Sequence, residues 1–207
     1  MHSVIRTGNS CIARIGWVVL IAAMLGGCGV NAIPTLDEET TAKWSQVLNQ
    51  YQRRADLIPN LVETVKGYAA HERNTLSAVV EARAKVAQMA IPKDILTNPE
   101  AFKMFQQNQG ALSSALSRLL VTVERYPDLK ASANFLALQS QLEGTENRIS
   151  VARRDYIEAV KRYNTEIRTF PGRIWKAILY SDAMAKQNFT VENEQGLAKA
   201  PQIKLTQ

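Results

Sequence analysis

The amino-acid sequence predicts an all-α protein whose helices form an elongated antiparallel up-and-down four-helix bundle. Glycine and proline are scarce, with ten and seven among 207 residues, and long stretches contain neither. A strand-rich fold would need more frequent turns than this composition provides. Apolar residues instead recur at the spacing of an amphipathic helix through most of the chain. The composition, 46% apolar and 21% charged, is that of a folded domain.

Residues 1–27 are predicted to be a lipoprotein signal peptide. Two arginines, Arg6 and Arg14, precede the apolar run 15–25, which ends in Leu-Gly-Gly directly before Cys28. A basic region, a short apolar region and small residues make up a secretory signal, and a cysteine directly after them is typical of bacterial lipoproteins. We therefore expect cleavage before Cys28 and acylation of this cysteine with several fatty acyl chains such as palmitate, because one chain alone binds a membrane only weakly.

The alternative interpretation of the N-terminus is an uncleaved transmembrane helix. The uncharged stretch 15–36 is long enough to cross a bilayer, although its apolar density falls after Leu25. Both interpretations keep the arginines in the cytoplasm and place the body of the protein outside it, in the bacterial cell envelope. Acylation at Cys28, followed by Gly29 and not by aspartate, predicts an outer-membrane lipoprotein facing the periplasm. The alternative predicts a single-pass inner-membrane protein.

Cysteine content and charge exclude several classes of site. Cys11 is predicted to leave with the signal peptide and Cys28 to be acylated, so the mature domain has no free thiol. It therefore has no disulfide, thiolate–metal site or cysteine nucleophile. The net charge of +6 is spread along the chain without a block of like charges, which argues against nucleic acid as a partner.

The first half of the chain is predicted to contain a tether and two helices. Residues 28–36 form the tether, and the first helix begins near Asp37 in a run of three acids. Pro59 interrupts the helical pattern, because a proline disfavours the helical conformation of the residue before it. We expect a turn over 54–58 with a capping aspartate, followed by a second helix that ends near Ala90.

The second half is predicted to contain two long helices that complete a bundle domain over residues 37–171. Asn98-Pro99-Glu100 is a start signal for the third helix, which extends to about Tyr126. The fourth helix, about 131–169, places a large apolar residue at every seventh position, which is typical of helices packed along a supercoiled seam. These heptad residues are Phe135, Leu142, Ile149, Tyr156, Tyr163 and Phe170.

The last segment, 172–207, is predicted to be a short amphipathic helix and a mostly irregular tail. Pro171 and Gly172 end the long helix. Residues 172–180 then place four large apolar side chains on one face. These are Ile174, Trp175, Ile178 and Leu179. Two positions stay open for this helix: the headgroup region of a membrane, which tryptophan favours, or the open base of the bundle, which the helix would cap.

A candidate partner-binding tip is predicted at the end of the bundle away from the membrane. Short connections force neighbouring helices antiparallel, so the turns over 54–60 and 126–134 are expected to meet there. The tip residues are Arg53, Arg54, Asp56, Asn60 and Asn134. The alternative role is structural, with Asp56 as a helix cap and one ion pair that holds the turn.

Several motifs of this sequence resemble those of the LemA family. They are Gln52-Arg53-Arg54-Ala55-Asp56-Leu57-Ile58-Pro59-Asn60-Leu61-Val62, Tyr126-Pro127-Asp128-Leu129-Lys130, Gln141-Leu142-Glu143-Gly144-Thr145-Glu146-Asn147-Arg148-Ile149, Arg153-Arg154-Asp155-Tyr156 and Phe170-Pro171. The resemblance covers about residues 28–171, and the tail after Gly172 matches weakly. It implies a membrane-attached helical bundle outside the cytoplasm, and it carries no catalytic residues over to this chain.

The enzyme class best suited to a helical bundle lacks its residues in this sequence. A carboxylate-bridged di-metal site needs Glu-x-x-His on each of two helices. The chain has only His2, in the signal, and His71, and Tyr68 stands where the glutamate is needed. No nucleophile elbow or phosphate-binding loop occurs either. We therefore predict no metal, no cofactor and no catalytic activity.

The sequence thus predicts a non-enzymatic scaffold or adaptor that is held at a membrane by its lipid anchor and binds protein partners. The alternative is a metal- or ligand-responsive sensor or enzyme that uses a buried acidic layer of Glu72, Glu143 and Glu146. Arg148 or Arg153 are the expected counter-charges of that layer. Structural ion pairs are the simpler interpretation, because buried charges usually occur in pairs.

Overall fold

The computed structural model describes residues 29–190 of the chain. Six helices and no strands are present in this range, and 77% of its residues are helical, which confirms the all-α prediction. The helices are α1 (Ala32–Tyr68), α2 (Arg73–Gln88), α3 (Pro99–Val123), α4 (Pro127–Lys130), α5 (Ala133–Glu166) and α6 (Gly172–Leu179). The predicted signal peptide with Cys28, and residues 191–207 of the predicted tail, lie outside the described residues.

Helix α1 is continuous through Pro59, so the predicted turn over 54–58 is wrong. Proline has no N–H to donate to the carbonyl four residues earlier in a helix. That carbonyl belongs to Ala55, and it accepts a hydrogen bond from Arg83 Nε of α2 at 3.1 Å. The apolar stripe also stays in phase across the proline. Its buried residues on the two sides are Val47, Tyr51, Ala55, Ile58, Leu61 and Val65.

The other boundaries of α1 and α2 also differ from the predicted ones. Helix α1 begins at Ala32, within the predicted tether, and ends at Tyr68. The chain reverses over 69–72, so the residues that follow Pro59 belong to α1 and α2 has only 16 residues. The buried residues of α2 are Leu76, Val79 and Ala82.

Helices α3 and α5 follow the sequence pattern closely. Asn98 caps α3, since its Oδ1 accepts hydrogen bonds from the N–H groups of Glu100 and Ala101, both at 3.1 Å. The heptad residues of α5 from Phe135 to Tyr163 are buried. Phe170, the last residue of the predicted series, is 82% exposed because α5 ends before it.

Helices α1 and α5 form the most extensive contact between helices of the described range. Helix α5 lies along α1, with Lys43 Nζ 3.2 Å from Asp155 Oδ2 near one end of the contact and Arg54 paired with Glu146 further along. Helix α2 packs between α1 and α3. Two short helices, α4 and α6, accompany the four longer ones, so the six helices of the described range divide the chain more finely than the predicted four.

The core changes its composition along the bundle because α2 is short. Beside α2 the core is mostly aliphatic. Beyond the end of α2 the space is filled by the 89–98 connection and by residues 181–190, which we call the C-terminal strap. Phe189 of the strap packs into an aromatic cluster and is 9% exposed. The other rings of this cluster are those of Trp44, Tyr51, Phe102, Phe105 and Tyr156.

The start of α1, the end of α5 and helix α6 together form what we call the base of the bundle. Helix α6 lies where the sequence predicted a short helix. Gly172 is buried at its start, and a Cβ there would lie 2.2 Å from the Glu166 carbonyl oxygen, so only glycine permits this approach. Trp175 packs against a small core cluster of Ile33, Tyr163 and Ile167. One side of α6 therefore packs against the ends of α1 and α5, as expected if this helix caps the bundle.

Candidate functional site

The residues of the predicted tip lie apart from one another. Arg53, Arg54, Asp56 and Asn60 are in the middle of α1, whereas Asn134 is in the first turn of α5. Arg54 faces Glu146 of α5, which is 12 residues from Asn134 and therefore about 18 Å away along the helix. The expected meeting of the two turns depended on a chain reversal near Pro59, which does not occur. The partner-binding role of these residues stays a prediction.

Three of the predicted tip residues share one exposed face of α1. Arg53, Asp56 and Asn60 follow at helical spacing, and all three are exposed. Asp56 accepts a hydrogen bond from Gln52 Nε2 at 2.7 Å and does not cap a helix. The structure thus replaces the predicted tip with a polar row on the side of the bundle, which we call the lateral row.

Arg54, by contrast, is a buried charge that joins three helices. Its side chain is 2% exposed. Nη1 donates to Ser113 Oγ of α3 at 2.7 Å and lies 3.2–3.3 Å from both carboxylate oxygens of Glu146 in α5. Nη2 donates to Gln109 Oε1 at 2.6 Å. The guanidinium carbon also lies 5.0 Å from the centre of the Tyr51 ring. Such a network compensates the loss of hydration that burial of a charge entails.

The polar network around Arg54 lines an open cleft of about 300 Å³ between α1, α3 and α5. Arg153 reaches the same cleft, and its guanidinium lies 4.4 Å from the Phe189 ring of the C-terminal strap. Burial raises the pKa of the Tyr51 phenol, and the positive charges of Arg153 and Arg54 partly oppose this rise. Gln109, a polar residue in the otherwise apolar stripe of α3, was the sequence signal that a buried polar partner exists.

The predicted buried acidic layer does not form. Glu72 accepts hydrogen bonds from Arg125 Nη2 and from the Tyr126 hydroxyl, both at 2.9 Å, at the end of the bundle opposite the base. Glu143 is exposed and bonded to Gln139. Glu146 is 53% exposed at the Arg54 cleft. In residues 29–190 no three histidine, cysteine, aspartate or glutamate side chains come together as metal ligands.

The surface of α6 that does not pack against α1 and α5 is apolar. Ile178 is 68% exposed and Leu179 is 55% exposed, and the partly exposed Ile174 lies one turn before Ile178. Gly29, the residue after Cys28, packs at the start of this helix: a Cβ added to it would lie 3.3 Å from Pro171 Cγ and 3.4 Å from Trp175 Nε1. Among the helices of the described range none has both the length and the apolar character to cross a membrane.

Comparison with known proteins agrees with the motifs and the helical architecture. The chain is 27% identical over 202 residues to the magnetosome protein MamQ 2 of Paramagnetospirillum magneticum, an alignment that covers 89% of this chain and 72% of the relative. It is 30% identical over 119 residues to protein LemA of Metamycoplasma hominis, covering 58% of this chain and 50% of the relative.

The family model that matches the chain includes the C-terminal segment. It is the model of the LemA family, and it matches residues 43–205. The match continues beyond Pro171, so the weak similarity expected for the tail underestimated its extent. It includes α6 and the C-terminal strap, which complete the base and the aromatic core. The chain belongs to the LemA family.

Proposed function

We propose that this protein is a lipid-anchored, non-enzymatic scaffold of the bacterial cell envelope, with its bundle in the periplasm and its anchor in the outer membrane. The observation that carries the proposal is the arrangement of the base. Gly29, which follows the predicted acylation site Cys28, packs at the start of α6, and the exposed apolar surface of α6 belongs to the same end. An acyl anchor at Cys28 would therefore bring this surface to the lipid.

The bundle is suited to hold partners at a fixed distance from that membrane. Helices α1 and α5 have 37 and 34 residues, which corresponds to about 50 Å of continuous helix. We propose that the four longer helices act as one up-and-down four-helix bundle, cross-linked at Arg54 between α1, α3 and α5. A rigid body of this length supports a structural role better than a catalytic one.

The lateral row of Arg53, Asp56 and Asn60 is the partner-binding surface in this proposal. These polar side chains project from α1, whereas Arg54 between them is committed to the interior. The relatives also favour a structural role, because MamQ is named for a cellular structure, the magnetosome, and not for a reaction.

The anchoring is tested by a Cys28→Ser variant of the full chain. We expect the wild-type protein in the membrane fraction with an acyl mass on Cys28, and the variant as an unprocessed precursor or in the soluble fraction. Cys11→Ser is the matched control and should behave as the wild type. A mature protein that starts at Met1 without an acyl mass would contradict the lipoprotein assignment.

The scaffold role is tested by photo-crosslinking in intact cells. A photoreactive residue replaces Asn60 in the lateral row, and the same residue at Ser150, which is exposed on α5, provides the control. We expect a discrete protein adduct from position 60 and none from position 150. Equal labelling at both positions, together with a stoichiometric metal in the native protein by elemental analysis, would contradict the scaffold and favour a metal-dependent role.

A further inference from the structure

A basic cleft lies at the base beside the apolar surface of α6. Three cationic side chains line it: Arg168, which follows the end of α5, and Arg173 and Lys176 of α6. Its volume is about 580 Å³, and Ile167, Ala177 and Ser181 form the rest of its wall. No acidic side chain lines the cleft. Among the ion pairs within residues 29–190 none includes these three cations.

The acidic residues that flank the cleft residues in the sequence, Glu166 and Asp182, make other contacts. Glu166 lies against Gly172 at the start of α6, and Asp182 accepts a hydrogen bond from Ser181 Oγ at 3.4 Å. Three cations of one cleft without a paired carboxylate repel one another, and this repulsion is relieved when an anion binds between them. The chemistry of the cleft therefore fits a phosphate group, for which arginine supplies a fork of N–H donors and lysine a point charge.

The apolar surface next to the cleft identifies which phosphate fits. Ile174 and Ile178 are four residues apart in α6, so they form one exposed stripe along this helix. Ala177 is adjacent to this stripe on the helical wheel and also lines the cleft. A cationic cleft that borders an apolar stripe matches the boundary of a bilayer, where headgroup phosphates adjoin acyl chains.

We propose that this cleft binds the headgroup phosphate of an anionic phospholipid, with the stripe of Ile174 and Ile178 in contact with the acyl region. The inference rests on the proposed membrane attachment and deepens it: the lipid anchor keeps the chain at the membrane, and the headgroup site sets the orientation. The base faces the bilayer and α1 and α5 project away from it. Gly29, three residues before the start of α1, is already beside α6, so both attachments belong to one end.

The binding site is tested with the full chain, purified from membranes and transferred to detergent micelles. Phosphatidylglycerol or phosphatidylcholine is titrated, and bound lipid is counted by native mass spectrometry. The variant Arg168→Gln/Arg173→Gln/Lys176→Gln removes the cations of the cleft. The control Arg148→Gln/Arg154→Gln/Lys161→Gln removes the same charge from exposed positions of α5. Because each basic residue near an anionic surface contributes about fivefold to binding, we expect the first variant to lose more than about tenfold in affinity for phosphatidylglycerol.

The orientation is tested by fluorescence of the same proteins in nanodiscs of phosphatidylglycerol with brominated acyl chains. Trp44 is buried in the core, whereas Trp175 is in α6, so quenching that disappears in a Trp175→Phe variant reports contact of α6 with lipid. We expect quenching in the wild type and the control variant and a clear reduction in the cleft variant.

Three results would overturn the inference. They are an equal loss of affinity in the cleft and control variants, equal binding of phosphatidylglycerol and phosphatidylcholine, and full competition by millimolar inorganic phosphate, which would indicate a site for free anions. These results leave the anchor untouched. The proposed anchoring fails separately, if the purified full chain carries no acyl mass on Cys28.

Discussion

At the scale of single residues, Arg54 shows how one charged side chain became part of the core. It stands among polar residues in the sequence of α1, yet it is 2% exposed and bonded to α3 and α5, whereas Arg53 beside it faces solvent. Neighbouring positions on a helix point about 100° apart, so adjacent arginines necessarily have different surroundings. Gln109 and Ser113 of α3 accept the hydrogen bonds that make the burial of Arg54 tolerable.

The Arg54 network predicts unequal effects for two neighbouring glutamates. Glu146→Gln removes the negative charge that faces the buried guanidinium, and we expect it to lower the free energy of unfolding by about 1–2 kcal/mol. Glu143→Gln, on an exposed position of the same helix, should change it by less than about 0.5 kcal/mol. Urea unfolding of residues 29–207 measures both. Equal effects would show that Glu146 does not stabilise Arg54.

At the scale of elements, a hydrogen bond that α1 lacks at Pro59 is replaced by a hydrogen bond from Arg83 of α2. The proline removes the N–H that would bond to the Ala55 carbonyl, and the guanidinium of Arg83 supplies a donor in its place. Helix α1 therefore continues to Tyr68 and extends to the N-terminal part of α5, where Val65 and Phe135 belong to one core cluster. A substitution in α2 is thereby coupled to a substitution in α1.

This coupling predicts a non-additive pair of variants. Arg83→Met should lower the free energy of unfolding by about 1 kcal/mol, because the Ala55 carbonyl loses its donor. Pro59→Ala should raise it by about 1–3 kcal/mol and restore the helical N–H. In the Pro59→Ala background Arg83→Met should cost less than about 0.5 kcal/mol. A double-mutant cycle by thermal and urea unfolding tests this, with the exposed Lys85→Met as control. Additive effects would contradict the shared hydrogen bond.

At the scale of the whole molecule, the C-terminal strap completes a core that α2 leaves open. Side chains of α5 hold it: Asn164 bonds to both the N–H and the carbonyl of Lys186, at 2.8 and 2.9 Å, and the Tyr156 hydroxyl donates to the Gln187 carbonyl at 2.8 Å. Burial raises the pKa of Tyr163 to about 12 beside Lys186, with Asp37 adding to the rise. The strap thus links the base to the middle of the bundle.

The role of the strap predicts different effects for two phenylalanines. Phe189→Ala removes a buried ring from the aromatic cluster and should lower the free energy of unfolding by about 2–4 kcal/mol. Phe170→Ala removes an exposed ring and should change it by less than about 0.5 kcal/mol in solution. The emission of Trp44, whose ring lies 6.2 Å from Phe189, should shift to longer wavelength only in the first variant. A stable Phe189→Ala protein with unchanged emission would contradict a structural role of the strap.

The periodic apolar positions determined the helical class and the buried seam of α5, whereas the Asn98-Pro99-Glu100 signal determined the cap of α3 and the sequence motifs indicated the family. These are local properties, since one helix decides by its own spacing which side chains can be buried together. The pattern also predicted α6, although not which of its residues pack inward: Trp175 covers the base and Ile178 stays exposed.

Tertiary packing decided the features that depend on a neighbouring element. Pro59 is a breaker by its own chemistry, and only Arg83 of another helix makes a continuous α1 tolerable. Because α1 continues past Pro59, the chain reverses only at 69–72. Asn134 therefore lies apart from the other residues of the predicted tip. The acidic layer does not form because its residues pair with cations at different places: Glu72 pairs with Arg125, and Glu146 pairs with Arg54. The sequence by itself determined which residues can face a core, and the tertiary structure decided which distant side chains face the buried charge of Arg54 and supply the hydrogen bond missing at Pro59.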